Sequence, residues 1–167
     1  MSKKCDFSGW ATRNDLLCSD GRTIRKNAFL DDNGKRVPLL WNHDHKDIDA
    51  VIGYAELEHR DEGVYAYGFF NDTDEGQRAK TLVKHGDVRS LSIYANKLQH
   101  KGSDVVHGSI KELSLVLAGA NPGAYVDFVM AHSDDEEDAV EACWDENIVI
   151  YHSEEDPEPE PEPEPEP

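Results

Sequence analysis

The sequence lacks any long apolar stretch. No segment approaches the roughly 20 apolar residues that a membrane-spanning helix needs. The N-terminal Met-Ser-Lys-Lys carries two charges but is not followed by an apolar run, which is not the pattern of a secretory signal. We therefore expect a protein that is made in a cytoplasm and has no membrane partner.

Cysteine is also scarce. Cys5, Cys18 and Cys143 are the only three, and their number and spacing fit no zinc or redox motif. We interpret them as free thiols in a reducing compartment.

Basic residues are missing from 131–167, although this segment holds 16 of the 35 acidic residues. The first 130 residues carry 19 acidic and 17 basic side chains, so the strong acidity belongs to the C-terminal segment. A near-neutral body lacks the basic face that non-specific nucleic-acid binding requires. We predict a folded domain at 1–130, a tail at 131–167 and no nucleic-acid partner.

The acidic tail ends in alternating proline and glutamate from Pro157 to Pro167. Proline removes backbone donors and the glutamates repel one another, which predicts a disordered, extended rod of about 3.1 Å per residue. We favour a solubilising or spacer role. The alternative is that the apolar island from Trp144 to Tyr151 docks on a partner.

The body alternates short apolar segments with turn residues, a pattern typical of β-strands. A helix is predicted at 73–85, since Asp72 or Thr73 can cap its start and Gly86 follows its end. The order predicts a mainly β domain with a few helices, arranged as an antiparallel or mixed barrel around one core. Strands are predicted at 5–12, 37–42, 51–58, 64–70, 88–97, 109–117 and 125–129.

The segment WNHDH places His43 and His45 just after an apolar strand. A histidine at a strand end is held by a rigid element yet open to solvent, which suits a general base. One alternative is a surface histidine without a role. Another is a metal site, but two imidazoles are too few for catalytic zinc, which usually takes three protein ligands. Asp44, Asp47 and Asp49 are candidates for a further ligand, so a metal site stays open.

Strand alternation over 88–97 puts Leu91, Ile93 and Ala95 on one face and Ser92 on the other. The apolar face is expected to enter the core. Ser92 then points away from the core at mid-strand, where a residue of a cleft can meet it. Serines on an outward strand face are also common without any role.

The strand at 109–117 shows the same alternation, with leucines on one face and Glu112 and Ser114 on the other. Glu112 faces the same side as Ser92 if the two strands are neighbours. A carboxylate there can orient His43 as the third member of a triad, or it can be a solvated strand charge. The residues alone lead to a barrel-like domain with a candidate Ser–His site.

Five segments in this order resemble the prohead proteases of tailed phages, distant relatives of the herpesvirus assemblins. They are SGWATRND, VPLLWNHD, VIGYAELE, GDVRSLSIY and KELSLVLAGANPGA. The resemblance runs from Ser8 to Phe128 and leaves out the acidic tail. It implies a small antiparallel β-barrel flanked by helices.

By this resemblance, His43 matches the catalytic histidine and Ser92 the nucleophilic serine. Glu112 is our choice for the third member, and His107 competes with it because the assemblins use a second histidine there. No cofactor and no resident metal are expected. Tyr94 stands where the family often has glycine, so its bulk is expected to narrow the cleft or change the specificity.

The implied function is that of a serine endopeptidase that cleaves scaffold protein and the major capsid protein, and also itself. It would act inside the assembling procapsid, in the host cytoplasm. The assemblins dimerise, so the resemblance also implies a homodimer. The tail would bind basic surfaces of those partners or be a remnant linker. The alternatives are a non-catalytic capsid assembly accessory protein of the same fold and a His-based metal-dependent hydrolase.

Overall fold

A computed structural model describes residues 5–130 and the two residues 139–140. The described part is mainly β, with nine strands, one α-helix and two single-turn 3₁₀ segments. The helix is α1 (Asp74–His85), and the 3₁₀ segments are Leu30–Asp32 and Ile48–Ala50. The strands are β1 (Phe7–Arg13), β2 (Thr23–Ile24), β3 (Arg36–Trp41), β4 (Val51–Arg60), β5 (Gly63–Phe70), β6 (Ser90–Lys101), β7 (Asp104–Val116), β8 (Val126–Met130) and β9 (Ala139–Val140).

The predicted helix is confirmed together with both of its ends. The Thr73 hydroxyl accepts a hydrogen bond from the Gly76 N–H at 3.0 Å and caps the first turn. Gly86 ends the helix in the left-handed region, at φ 88°, where a residue without a Cβ is least strained. Ala79 and Val83 join the buried core, so the apolar side of α1 covers the sheet.

The nine strands form one mixed sheet. Its hydrogen-bonded order is β2-β7-β3-β4-β5-β1-β8-β9, with β6 paired to β7. The pairs β2–β7 and β3–β7 are parallel. The sheet is therefore mixed, which is one of the two arrangements predicted from the strand order, and not the antiparallel one that the family resemblance implied. Parallel neighbours need a long connection, and here the chain passes through β4, β5, α1 and β6 between β3 and β7.

The predicted closed barrel is not confirmed, because the ladder over the described residues does not return to its first strand. An isolated bridge between Ser90 and Tyr125 does bring the start of β6 next to the start of β8. The flanking helices are likewise fewer than predicted, since α1 is the only α-helix in 5–130.

The core lies between the inner faces of the strands and α1. Its most buried side chains contribute roughly 1.5–3 kcal/mol each by leaving water. They include Phe7, Leu39, Leu91, Ile110, Leu113 and Leu115. Each of the strands β3, β6 and β7 has a fully buried leucine in this core, namely Leu39, Leu91 and Leu113.

Strand β9 falls within the segment that was predicted to be a tail, where Ala139 and Val140 pair with Met130 and Val129 of β8. The rest of that segment, 131–138 and 141–167, lies outside the described residues, as does the apolar island. Within the described part of the chain, no helix has the length and apolar character needed to cross a bilayer.

Candidate active site

The register of three strands brings the sequence-predicted residues together. β6 and β7 are antiparallel neighbours, with Ser92 opposite Ser114 and Tyr94 opposite Glu112. Glu112 and Ser92 therefore lie on one face of the sheet, as strand alternation predicted for neighbouring strands. On the other edge of β7, Leu40 of β3 pairs with Ser114, so the chain leaves β3 close to this point.

A sharp turn after β3 directs His43 back over β7. Asn42 and His43 both have left-handed backbones, at φ 52° and 56°, which is costly for residues with a Cβ. Two bonds to β7 hold the turn. The Asn42 N–H donates to the Leu115 carbonyl at 2.9 Å, and the His43 N–H donates to Ser114 Oγ at 3.0 Å.

The His43 ring lies between Ser92 and Glu112. Its Nε2 is 2.8 Å from Ser92 Oγ, and its Nδ1 is 3.0 and 3.1 Å from the two Glu112 carboxylate oxygens. A carboxylate only accepts, so Nδ1 carries the proton and Nε2 accepts the hydrogen bond of the Ser92 hydroxyl. This is the hydrogen-bonding pattern of a serine–histidine–carboxylate triad.

Glu112 is buried, and hydrogen-bond donors surround its carboxylate. Besides His43, the Ser114 hydroxyl donates to both oxygens at 3.1 Å, and His45 Nε2 lies 2.9 Å from Oε2. Burying a carboxylate without such partners would be strongly destabilising. Three donors instead fix its position relative to the His43 ring.

Two further residues join this network, Ser114 and His45. Sequence patterning gave Ser114 no role and His45 only that of an alternative metal ligand beside His43. Ser114 follows Glu112 by two positions, so the same alternation that singled out Glu112 also places Ser114 on its face. His45 packs its ring edge-on against Tyr94, with centroids 4.8 Å apart. No local pattern signals that contact, because it joins a loop to another strand.

His107, the competitor of Glu112, lies elsewhere. It pairs with Gln99, five positions before Glu112 on β7, and its Nε2 is 4.0 Å from Asp31 Oδ2. In the described residues, the ring of His43 therefore contacts Glu112 and Ser92 rather than His107.

The aspartates proposed as third metal ligands are also elsewhere. Asp44 and Asp47 accept hydrogen bonds from backbone N–H groups of their own loop, including those of Lys46 and Asp49. Glu112 approaches the two histidines instead. One ligand atom each of His43, His45 and Glu112 lies within 4.8 Å of the other two.

A cavity of about 210 Å³ opens beside Ser92, between β6 and the segment from β1 to β2. Ile24, Phe29 and Leu98 give it apolar walls, and Tyr94 lines it next to the network. Its polar side has Asp20 and Arg22, which form an ion pair.

The pKa values of ionisable groups in this cavity are shifted, among them those of Cys18 and Asp20. Burial, supported by the negative charge of Asp20, raises the pKa of the Cys18 thiol to about 11. Burial acts upward on the Asp20 carboxyl as well, but hydrogen bonds from Arg22 outweigh it and lower the pKa of Asp20. At neutral pH the cavity therefore presents a neutral thiol and an intact ion pair.

The sequence matches the model of the caudovirus prohead serine protease family over residues 6–139. The chain belongs to that family. The match confirms the resemblance seen in the sequence, and it contains His43, Ser92 and Glu112.

Solved structures that resemble this family member include KSHV protease in complex with a hexapeptide phosphonate inhibitor. That pair has a TM-score of 0.49 and 12% identity, covering 89% of this chain and 75% of the other. A second KSHV protease structure gives a TM-score of 0.47 and 12% identity, covering 89% and 72%. No curated protein sequence matches the chain.

Proposed function

We propose that this chain is a serine endopeptidase in which Ser92 is the nucleophile, His43 the general base and Glu112 the carboxylate that orients His43. The observation that carries the proposal is the unbroken relay from Glu112 through His43 to Ser92, with contacts of 3.0 and 2.8 Å. A serine hydroxyl is a weak nucleophile at its own pKa, and an adjacent base is what activates it.

In the acylation step, Ser92 Oγ attacks the carbonyl carbon of the scissile peptide bond and its proton moves to His43 Nε2. The Nδ1–H bond to Glu112 stabilises the imidazolium that forms. The tetrahedral intermediate then expels the amine, which takes the proton from Nε2, and an ester remains on Ser92. Water attacks this ester with His43 again as base, which releases the new carboxylic acid and restores Ser92.

The surrounding groups position this relay. The Ser114 hydroxyl donates to the Glu112 carboxylate, and its oxygen accepts the His43 backbone N–H. One side chain therefore aligns the general base with the carboxylate that orients it. His45 binds the other side of the carboxylate, and Tyr94 supports the His45 ring. Positional errors of about 1 Å in such a group can lower the rate on the order of a hundredfold.

The proposed substrates are the phage major capsid protein and the scaffold protein, cleaved inside the assembling procapsid in the host cytoplasm, together with the protease itself. The family match supports this choice, since prohead proteases act in that setting. The cavity beside Ser92 would take one substrate side chain, and its apolar walls favour an apolar one. A homodimer and a tail that binds basic partner surfaces are part of the same proposal.

The test is to co-express the wild type, Ser92→Ala or His43→Ala with the cognate capsid and scaffold proteins and to follow fragment masses. Reaction with a fluorophosphonate, read as a mass increase on Ser92, reports the activated serine without a known cleavage sequence. Ser109→Ala is the matched control, because Ser109 lies on β7 outside the relay and its Oγ is 3.5 Å from Lys35 Nζ.

We expect cleavage and labelling in the wild type and Ser109→Ala, and neither in Ser92→Ala. Cleavage that persists in Ser92→Ala but stops with a chelator would overturn the nucleophile and favour the metal-dependent hydrolase. Assembly that proceeds in the wild type without cleavage or labelling would favour the accessory protein.

A further inference from the structure

His43, His45 and Glu112 together form a set of donors whose geometry suits a metal ion. His43 Nδ1 is 3.0 Å from Glu112 Oε1, and His45 Nε2 is 2.9 Å from Oε2. All three ligand atoms lie within 4.8 Å of one another. Neighbouring ligands of a tetrahedral Zn²⁺, with bonds of about 2.0–2.2 Å, are separated by about 3.3–3.6 Å, so small movements would admit the ion.

The chemistry and access of this cluster also fit zinc. Two imidazoles and one carboxylate are a known zinc ligand set that leaves one coordination position open. The side chains of His43 and His45 are 31% and 44% exposed, so an ion can reach them from solvent. Glu112 is buried and is oriented by the Ser114 hydroxyl, the kind of supporting hydrogen bond that tunes metal ligands.

We propose that His43, His45 and Glu112 form a zinc site that switches the candidate protease off. The binding itself follows from the cluster, whereas the inhibition rests on the proposed function. His45 is the ligand that distinguishes this site from the relay. In the proposed mechanism it only holds Glu112 and takes no part in the proton transfer.

Inhibition follows from where the proton of His43 must lie. A neutral imidazole has one ring N–H, so coordination through Nδ1 leaves the proton on Nε2. Nε2 then donates to Ser92 Oγ instead of accepting its proton. The metal also takes the Glu112 carboxylate away from His43, so both supports of the nucleophile are lost at once. Removal of the ion restores them.

Direct binding is tested in the full-length Ser92→Ala variant, which keeps all three ligands. Zn²⁺ is titrated by calorimetry, and Co²⁺ by the visible absorption of a tetrahedral site. The same titrations are repeated with His45→Gln added, and with His107→Gln added as the matched control. His107 has the same 44% exposure as His45 and also faces a carboxylate, Asp31 at 4.0 Å.

We expect His45→Gln to weaken zinc binding at least tenfold and to remove the tetrahedral cobalt spectrum, while His107→Gln leaves both unchanged. Equal binding by both variants would overturn the site and place the ion elsewhere. This measurement does not require a working protease, so its failure differs from a failure of the proposed function.

Inhibition is tested by the rate of fluorophosphonate labelling of Ser92, with zinc added and then removed by EDTA. Each variant is compared with its own metal-free rate, because His45 contacts Glu112. We expect reversible inhibition of the wild type and an inhibitory concentration at least tenfold higher for His45→Gln. Zinc that binds at the cluster without slowing labelling, or that accelerates it, would overturn the inhibitory role.

Discussion

Ser92 and Ser114 face each other across the β6–β7 ladder, and each hydroxyl holds a different part of His43. Ser92 Oγ contacts the ring at Nε2, and Ser114 Oγ accepts the backbone N–H. One antiparallel pair thus positions both the imidazole and the turn that carries it.

Ser114→Ala is expected to loosen this arrangement. The His43 N–H and the Glu112 carboxylate each lose a partner, and an unsatisfied buried polar group costs about 1–3 kcal/mol. We expect a lower free energy of unfolding in urea and a labelling rate of Ser92 that falls about 10- to 100-fold. Ser109→Ala is the control on the same strand, and an effect of equal size there would contradict the role of Ser114.

Glu112→Gln tests the choice between Glu112 and His107. An amide keeps the size of the side chain but cannot stabilise an imidazolium and favours the wrong His43 tautomer, so we expect a loss of roughly 10³–10⁴ in kcat/KM. The loss in kcat/KM is measured as cleavage of purified capsid or scaffold protein by the purified variants. Circular dichroism checks that each variant is folded. His107→Gln should be close to wild type, and the reverse order of effects would assign the third role to His107.

Gly119→Ala tests the loop that follows β7. A Cβ at Gly119 would lie 2.7 Å from the carbonyl oxygen of Leu91, the residue before Ser92, so the loop or β6 must shift. We expect a stable protein whose labelling rate falls about 10- to 100-fold. Gly102→Ala is the control far from the site: an added Cβ would meet nothing within 4 Å, but the φ of 62° strains the backbone. We expect it to cost stability, about 1–2 kcal/mol, and to leave the labelling rate unchanged. Unchanged labelling in Gly119→Ala would show that the shift does not reach Ser92.

The alkylation rate of Cys18 should keep rising with pH into the alkaline range, beyond the pH at which an ordinary thiol is fully ionised. Its pKa of about 11 means that about one thiol in a thousand is ionised at pH 8, and only the thiolate reacts. Because ionisation increases as pH rises towards that pKa, the rate of reaction with iodoacetamide should increase about tenfold per unit from pH 8 to 10. Peptide mapping of the modified thiol gives the rate, with urea-unfolded protein as control. A rate that levels off below pH 9 would contradict the burial of the thiol.

The acidic tail is predicted to bind its partners by charge. Deletion of residues 142–167 should reduce co-assembly with scaffold and capsid proteins, and association of the full chain should weaken as salt rises. A tail of equal length with Gln and Asn in place of Glu and Asp separates charge from length. Salt-independent association would remove the electrostatic role.

Much of the fold was predictable because the signals are local. The caps Thr73 and Gly86 bound α1 as predicted, and alternation identified the face that carries Ser92 and Glu112. The strands at 51–58 and 64–70 were also predicted, although β4 and β5 extend to Arg60 and Gly63. The far ends of β6 and β7 were missed because their polar residues around the turn show no apolar alternation.

The site itself depends on contacts between residues far apart in the chain. Successive side chains of a strand point to opposite faces of the sheet. The sequence by itself therefore determined which residues of a strand share a face. Which strands are neighbours depends on how the whole core packs. Only the tertiary structure placed β3 parallel to β7, turned His43 onto Glu112 and brought His45 and Ser114 to the same carboxylate.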